Sequence, residues 1–212
     1  MILNGIVVVS TVYSVGSFWF AGGSGNMQVA GARSLRFYTN LSNIYGALGA
    51  LWALICEIRG RKKGTGASLP LPAYLFRFGS AVCLTVTFLT TALFLSPMLV
   101  LRGGNYFLYF MGVTFYLHFL TPLLVVLTVL RLEETEGFGK RQMLLAVVPT
   151  LLYAVVYVWQ VAVRGPENGG WNDFYGFTFG GNMKIAPVSL VVMVLLTVGV
   201  SFALGALRRK KG

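Results

Sequence analysis

Residues 36–63 read RFYTNLSNIYGALGALWALICEIRGRKK: polar at the start, apolar for a dozen residues, then closed by a basic cluster. The apolar part has the character of a membrane helix, yet its first two turns carry Thr39, Asn40, Ser42 and Asn43. Hydrocarbon offers no water to such groups, so their partners have to come from within a bundle of helices.

The rest of the chain can supply that bundle. Its 212 residues are 56% hydrophobic and 11% charged, with mean hydropathy +0.74, whereas about a quarter of the residues of a soluble domain are charged. Runs near the ~20 residues needed to cross a bilayer core fall at about 2–20, 37–58, 73–95, 106–130, 143–163 and 185–207. Only short connections remain between them. The expected fold is an all-α, polytopic six-transmembrane-helix bundle forming one domain over residues 1–212.

A net charge of +11 raises the question of nucleic acid, but its distribution answers in favour of a membrane. In a six-helix reading, one face collects Arg59, Arg61, Lys62, Lys63, Arg77, Arg131, Lys140, Arg141 and the tail Arg208, Arg209, Lys210 and Lys211, twelve of the seventeen basic residues. The other face keeps Arg33, Arg36, Arg102, Arg164 and Lys184. That asymmetry predicts both termini in the cytoplasm and makes the tail a topology anchor beside lipid headgroups, with no nucleic-acid partner. The first apolar run lacks a basic leader and is too long for a signal peptide, so it reads as the first span. Cys56 and Cys83 map near the cytoplasmic ends of their helices and imply neither a disulfide nor a metal site.

Few residues can carry chemistry. No carboxylate and no lysine falls deep in a proposed span, which leaves His118, in FYLHFLTPLLVVL, as the ionisable side chain within a helix. An intramembrane histidine is either a functional group or an interhelical packing bond. Thr114 and Thr121 share its helical face, and Pro122 removes the N–H that would bond the His118 carbonyl, predicting a kink and a free acceptor there. In the opening stretch, Thr39, Asn43, Gly46 and Ala50 form one face that permits close helix approach. A lone Thr39 would bond the carbonyl of Leu35, but Asn40 and Asn43 also need partners. The connection RGPENGGWNDFYGFTFGGNMK, residues 164–184, mixes glycines with Trp171, Phe174, Tyr175, Phe177 and Phe179. It reads as an interfacial belt or as a lid over a cavity.

RFYTNLSNIYGALGALW, HFLTPLLVVL and LYAVVYVWQVAVRGPENGGWNDFYGF resemble three regions of the androgen-induced protein family of multi-pass membrane threonine hydrolases, which has bacterial six-helix relatives. The resemblance implies hydrolysis of fatty acid esters of hydroxy fatty acids or similar lipid-like esters in a bacterial plasma membrane. No cofactor or metal is implied, and the oligomeric state is left open. The family's threonine falls on Thr39 and its histidine on His118, implying a nucleophile and its base. Ser42 stands where members can carry an acid, and Gly176 where the loop pattern favours Pro. Asn40 and Asn43 are the nearest candidate oxyanion donors, with Ser42, Thr114 and Thr121 as further polar cavity residues. Tyr153, Tyr157, Gln160, Trp171, Tyr175 and Phe177 are expected in the substrate cavity or its lid. A transporter or channel lined by Thr39, Asn43, His118, Tyr153 and Gln160, or a non-catalytic lipid-binding protein, are the alternatives.

One expectation conflicts with the proposed pair. A fourth helix beginning at 106 buries His118 twelve residues, about 18 Å at 1.5 Å per residue, below an end at which Thr39 is only a turn deep. Contact then requires the second helix to begin earlier, the fourth to begin later, or strong tilts.

Overall fold

The computed structural model describes residues 1–23, 29–64, 68–178 and 184–209; Lys210 and Lys211 of the basic tail and Phe179 of the aromatic connection lie outside the described residues. Among the described residues six helices are long and apolar enough to cross a membrane: α1 (Ile2–Ala21), α2 (Tyr38–Lys62), α3 (Leu71–Leu101), α4 (Val113–Arg131), α5 (Lys140–Arg164) and α6 (Ala186–Arg208). Among the described residues there is no strand. The chain is a multi-pass integral membrane protein of the all-α class.

Helix α3 is the hub. It buries Tyr74, Phe78, Leu84 and Val86 completely, packs on one side against α2 and α4, with α1 completing that group, and on the other against α5 and α6. The small-residue face of α2 works as its spacing predicts: a Cβ on Gly46 would stand 2.8 Å from Leu84 Cδ1 of α3 and 3.8 Å from Val125 of α4. Outward faces carry exposed Leu152, Val155, Val163, Val191 and Leu195, as lipid contact requires.

One end of the bundle carries Met1, and its charges are tied across helices. The Met1 ammonium lies 3.0 Å from Glu57, and the Arg208 guanidinium donates to the Thr135 carbonyl at 2.8 Å while stacking on Tyr74 and Phe138. Arg77 corrects its expected place among the surface anchors. It is fully buried on α3, where its guanidinium meets Glu133 at 2.9 Å and donates to Asn4 and Thr128 at 2.9 and 2.6 Å and to the Gly46 carbonyl at 3.4 Å. His118 is therefore not alone as a buried ionisable group within the spans. A charge this deep persists only when paired and hydrogen-bonded, and α1, α2, α4 and the connection after α4 supply its partners.

The opposite end, which carries Trp171, departs most from the expected boundaries. Residues Tyr106–Phe110 form a 3₁₀ turn, and Gly112 takes φ 57°, where a side chain would be strained. The chain reverses there, so α4 begins at Val113 and not at 106. His118 then lies five residues into α4, and Thr39 is the second residue of α2. The later start of α4 removes the depth conflict. At this end α3, α4 and α5 each contain a widened π turn, at Thr91–Leu95, Tyr116–Leu120 and Trp159–Arg164, a feature frequent at functional sites. In α4 this turn takes the place of a simple proline kink: Thr121 N–H reaches back five residues to the Tyr116 carbonyl, just before Pro122.

Candidate active site

Thr39 owes its position to the way α2 begins. The chain leaves the 3₁₀ turn Gly31–Arg36, passes through extended Phe37 and enters the helix at Tyr38. The Asn40 amide donates to the Ser34 carbonyl at 2.8 Å, pinning this junction. Since the 3₁₀ turn is not continuous with α2, Leu35 offers no helical carbonyl to Thr39. The Thr39 hydroxyl lies instead 3.3 Å from His118 Nε2.

His118 is buried and held from its far side. Its Nδ1 lies 2.8 Å from the Tyr109 carbonyl, nine residues earlier, a contact that the reversal at Gly112 makes possible. A carbonyl only accepts, so Nδ1 carries the proton of the neutral ring and Nε2 turns its lone pair toward the Thr39 hydroxyl. Edge contacts with the Tyr109 and Phe110 rings fix the plane of the imidazole.

Asn40 and Asn43 have tasks other than the oxyanion donation expected of them. Asn43 Nδ2 donates to the Thr39 carbonyl at 2.7 Å and the Leu117 carbonyl at 3.0 Å, which uses both amide hydrogens and ties α2 to α4 beside His118. The Oδ1 atoms of both asparagines are buried with no partner among the described residues. Ser42 bonds the Thr39 carbonyl and Thr87, Thr114 the Met111 carbonyl, and Thr121 the Ser10 hydroxyl of α1. None of these five lines the cavity at Thr39, because each is turned to a backbone carbonyl or a neighbouring helix.

That cavity, about 80 Å³, lies between α3, α5 and α6. Thr39 stands in its wall with Tyr38, Thr150, Tyr153, Tyr157, Tyr175 and Phe177; Thr87, Thr90 and Thr91 of α3 border it too, and Ala154, Val158, Ala162, Leu190 and Met193 supply an apolar side. His118 is outside it, behind Thr39. Gln160 does not line it either. Its backbone carbonyl accepts from the Trp171 N–H at 3.0 Å, and a Cβ on Gly170 would stand 2.2 Å from that oxygen, so only glycine fits this close approach. Trp171 faces a second groove, between α2 and α5, lined also by Leu41, Tyr45 and Val156.

The connection that holds Tyr175 is organised by Asp173, which the sequence reading did not single out. One carboxylate oxygen accepts from the Tyr157 hydroxyl at 2.7 Å and the Phe177 N–H at 3.0 Å, and the other from the Thr178 N–H and hydroxyl at 2.6 Å each. Burial alone would raise the Asp173 pKa, but the donors from Thr178, Tyr157 and Phe177 outweigh it and hold the carboxyl below its ordinary value. An aspartate three residues before a glycine at φ 72° is the local signal for such a turn. Tyr175 is buried, and burial pushes its phenol up to about 12. Among the described residues no three His, Cys, Asp or Glu side chains converge. Protein-family models, curated proteins and solved structures give no match to this chain.

Proposed function

We propose that the chain is an intramembrane hydrolase of lipid-like esters, of the kind represented by fatty acid esters of hydroxy fatty acids, with Thr39 as nucleophile and His118 as base. The observation that carries this reading is the ordered line Tyr109 carbonyl, His118, Thr39, cavity: 2.8 Å to Nδ1, 3.3 Å from Nε2 to the hydroxyl, and only the threonine facing the open space. The likeness of RFYTNLSNIYG and HFLTP to the androgen-induced protein family points the same way.

A threonine hydroxyl is a weak nucleophile until a neighbouring base takes its proton. Thr39 Oγ1 attacks the ester carbonyl carbon as that proton passes to His118 Nε2, and the carbonyl electron pair moves onto oxygen. Collapse of the tetrahedral intermediate breaks the bond to the alcohol oxygen, which takes the proton from His118. A water deprotonated by the same nitrogen then frees the acid and restores Thr39. The Tyr109 carbonyl orients the ring as a carboxylate would, without a full negative charge. An acyl chain reaches Thr39 between α5 and α6 along the apolar wall of Val158, Ala162 and Leu190.

The channel alternative has less behind it, since Asn43, His118 and Gln160 stay out of the cavity. We further propose a bacterial plasma membrane with the Met1 end in the cytoplasm. A cysteine placed at Asn168 should then react with an impermeant maleimide on intact cells; reaction only after permeabilisation would reverse the orientation. For the activity, a fluorophosphonate probe should label the purified protein at Thr39, as located by peptide mass spectrometry. Labelling that persists in Thr39→Ala would remove that residue from the mechanism, and absent labelling alongside lipid binding would favour the non-catalytic reading.

A further inference from the structure

We infer that the Tyr175 hydroxyl is the oxyanion donor of this site, contributed to the first turn of α2 by the connection between α5 and α6. The inference rests on the hydrolase reading. It begins from a shortage: an attack by Thr39 leaves negative charge on the former carbonyl oxygen, and a donor must await it within the water-poor cavity.

The neighbouring donors are already engaged. Both Asn43 amide hydrogens bond carbonyls, and Asn40 bonds Ser34 away from the cavity. Tyr153 donates to the Arg36 carbonyl at 2.6 Å, Tyr157 to Asp173 at 2.7 Å, and the Tyr38 hydroxyl is paired with Thr150 at 2.6 Å. Thr87 and Thr91 each donate to a carbonyl one turn back in α3.

Tyr175 differs from all of these. Its oxygen accepts the Tyr38 N–H, the first amide of α2, at 2.8 Å, and the amide and hydroxyl of Thr39 lie beside it. Among the described residues no carbonyl or carboxylate takes its hydrogen. Its hydroxyl stands with those of Tyr153 and Thr39 in one cavity wall, so the O–H is free to turn to the place where the nucleophile acts. An accepted backbone N–H polarises the phenol and makes it a stronger donor, and the positive end of α2 favours negative charge at the same spot. In the transition state the Tyr175 O–H would donate to the new oxyanion while keeping its proton. Aromatic contacts with Tyr157, Phe174 and Phe177 and the carboxylate knot of Asp173 hold the ring in place, so little rearrangement is required at the moment of reaction.

The test compares Tyr175→Phe with Thr39→Ala in purified protein hydrolysing a long-chain p-nitrophenyl ester. With Thr39→Ala silent, Tyr175→Phe should lose about 10²–10³-fold in kcat with KM within threefold, since the donor acts on the transition state. A kcat within threefold of wild type, or raised, overturns the inference and leaves the Thr39–His118 reading intact. Turnover retained in Thr39→Ala overturns both. Should Tyr175→Phe fail to give a cooperative melt in detergent, 3,5-difluorotyrosine at position 175 keeps the bond to α2 while strengthening the donor: a raised kcat supports the role, and an unchanged one overturns it.

Discussion

The two ends of the bundle each hold a buried polar cluster, built on opposite principles. At the Met1 end a full positive charge is buried, and Arg77 finds Glu133, Asn4, Thr128 and the Gly46 carbonyl around it, with Ala50, Ala53 and Val129 packed nearby. At the Trp171 end the groups at the heart of the cluster are neutral, two amide oxygens have no partner among the described residues, and a cavity opens beside Thr39. Charge alone would mark the first as the functional site. Hydrogen-bond satisfaction reverses that ranking: a completed network fixes helices, whereas a hydroxyl backed by an oriented imidazole and facing empty space is arranged to react.

The sharpest way to break this comparison is to remove one partner from each cluster. Thr39→Ala and His118→Ala should each lower ester hydrolysis by about 10⁴-fold or more, and the double variant should be little worse, because residues acting as a unit are strongly non-additive. Melting temperature in detergent should barely move, an interhelical hydrogen bond in a membrane being worth about 0.6 kcal/mol. Equal losses of stability and activity would make the pair structural.

Arg77→Ala should show the opposite pattern. It strands the Glu133 carboxylate in the core and should destabilise the fold by about 3–5 kcal/mol, while the surviving folded fraction keeps its kcat. Arg77→Met combined with Glu133→Leu should recover much of that loss, since no unpaired charge remains. Thermal melts paired with turnover per folded molecule measure both. Abolished turnover in fully folded Arg77→Ala would erase the distinction between the two ends.

The contrast also explains what could be read from the sequence. Six spans and the close-approach face at Gly46 follow from apolar length and small-residue spacing, and the contact of Thr39 with His118 is expected from a resemblance between short motifs. Arg77 reads as a surface anchor because it stands near the end of its helix, where a basic residue ordinarily reaches water; its partners Asn4, Glu133 and Thr128 come from distant segments. The sequence places the start of α4 too early because Tyr106–Phe110 is as apolar as a helix, and Gly112 is what marks the reversal. Asp173 and the donors of Tyr175 depend on how the connection folds back onto α2, which periodicity does not encode.

Asn43 sharpens the comparison at smaller amplitude, because it is the structural member of the reactive cluster. Asn43→Ala removes the bridge between the Thr39 and Leu117 carbonyls and should lower kcat by up to about 10²-fold through misalignment of the pair, with about 1–2 kcal/mol lost from stability. Asn43→Asp, which cannot donate to those carbonyls when ionised, should be no better than alanine. Full activity in Asn43→Asp would assign the work to the Oδ1 atom.

The smallest effect should come from the Asp173 knot, and pH is the means of reading it. The carboxyl is held below its ordinary value by the Tyr157, Phe177 and Thr178 donors despite partial burial. A depressed folded pKa contributes stability that is fully present above the unfolded value of about 3.9 and is lost as pH falls through the folded value. Acidification below about pH 4 should therefore loosen the connection around Trp171 and Tyr175 before the helices melt, seen as a change in Trp171 fluorescence in a protein whose other three tryptophans are replaced by Phe. Asp173→Asn keeps one acceptor oxygen but has no charge to titrate, so it should show a weaker connection at neutral pH and no such acid step. An acid step of unchanged size in that variant would move its origin to another group, and the connection would then owe its shape to aromatic packing rather than to the carboxylate.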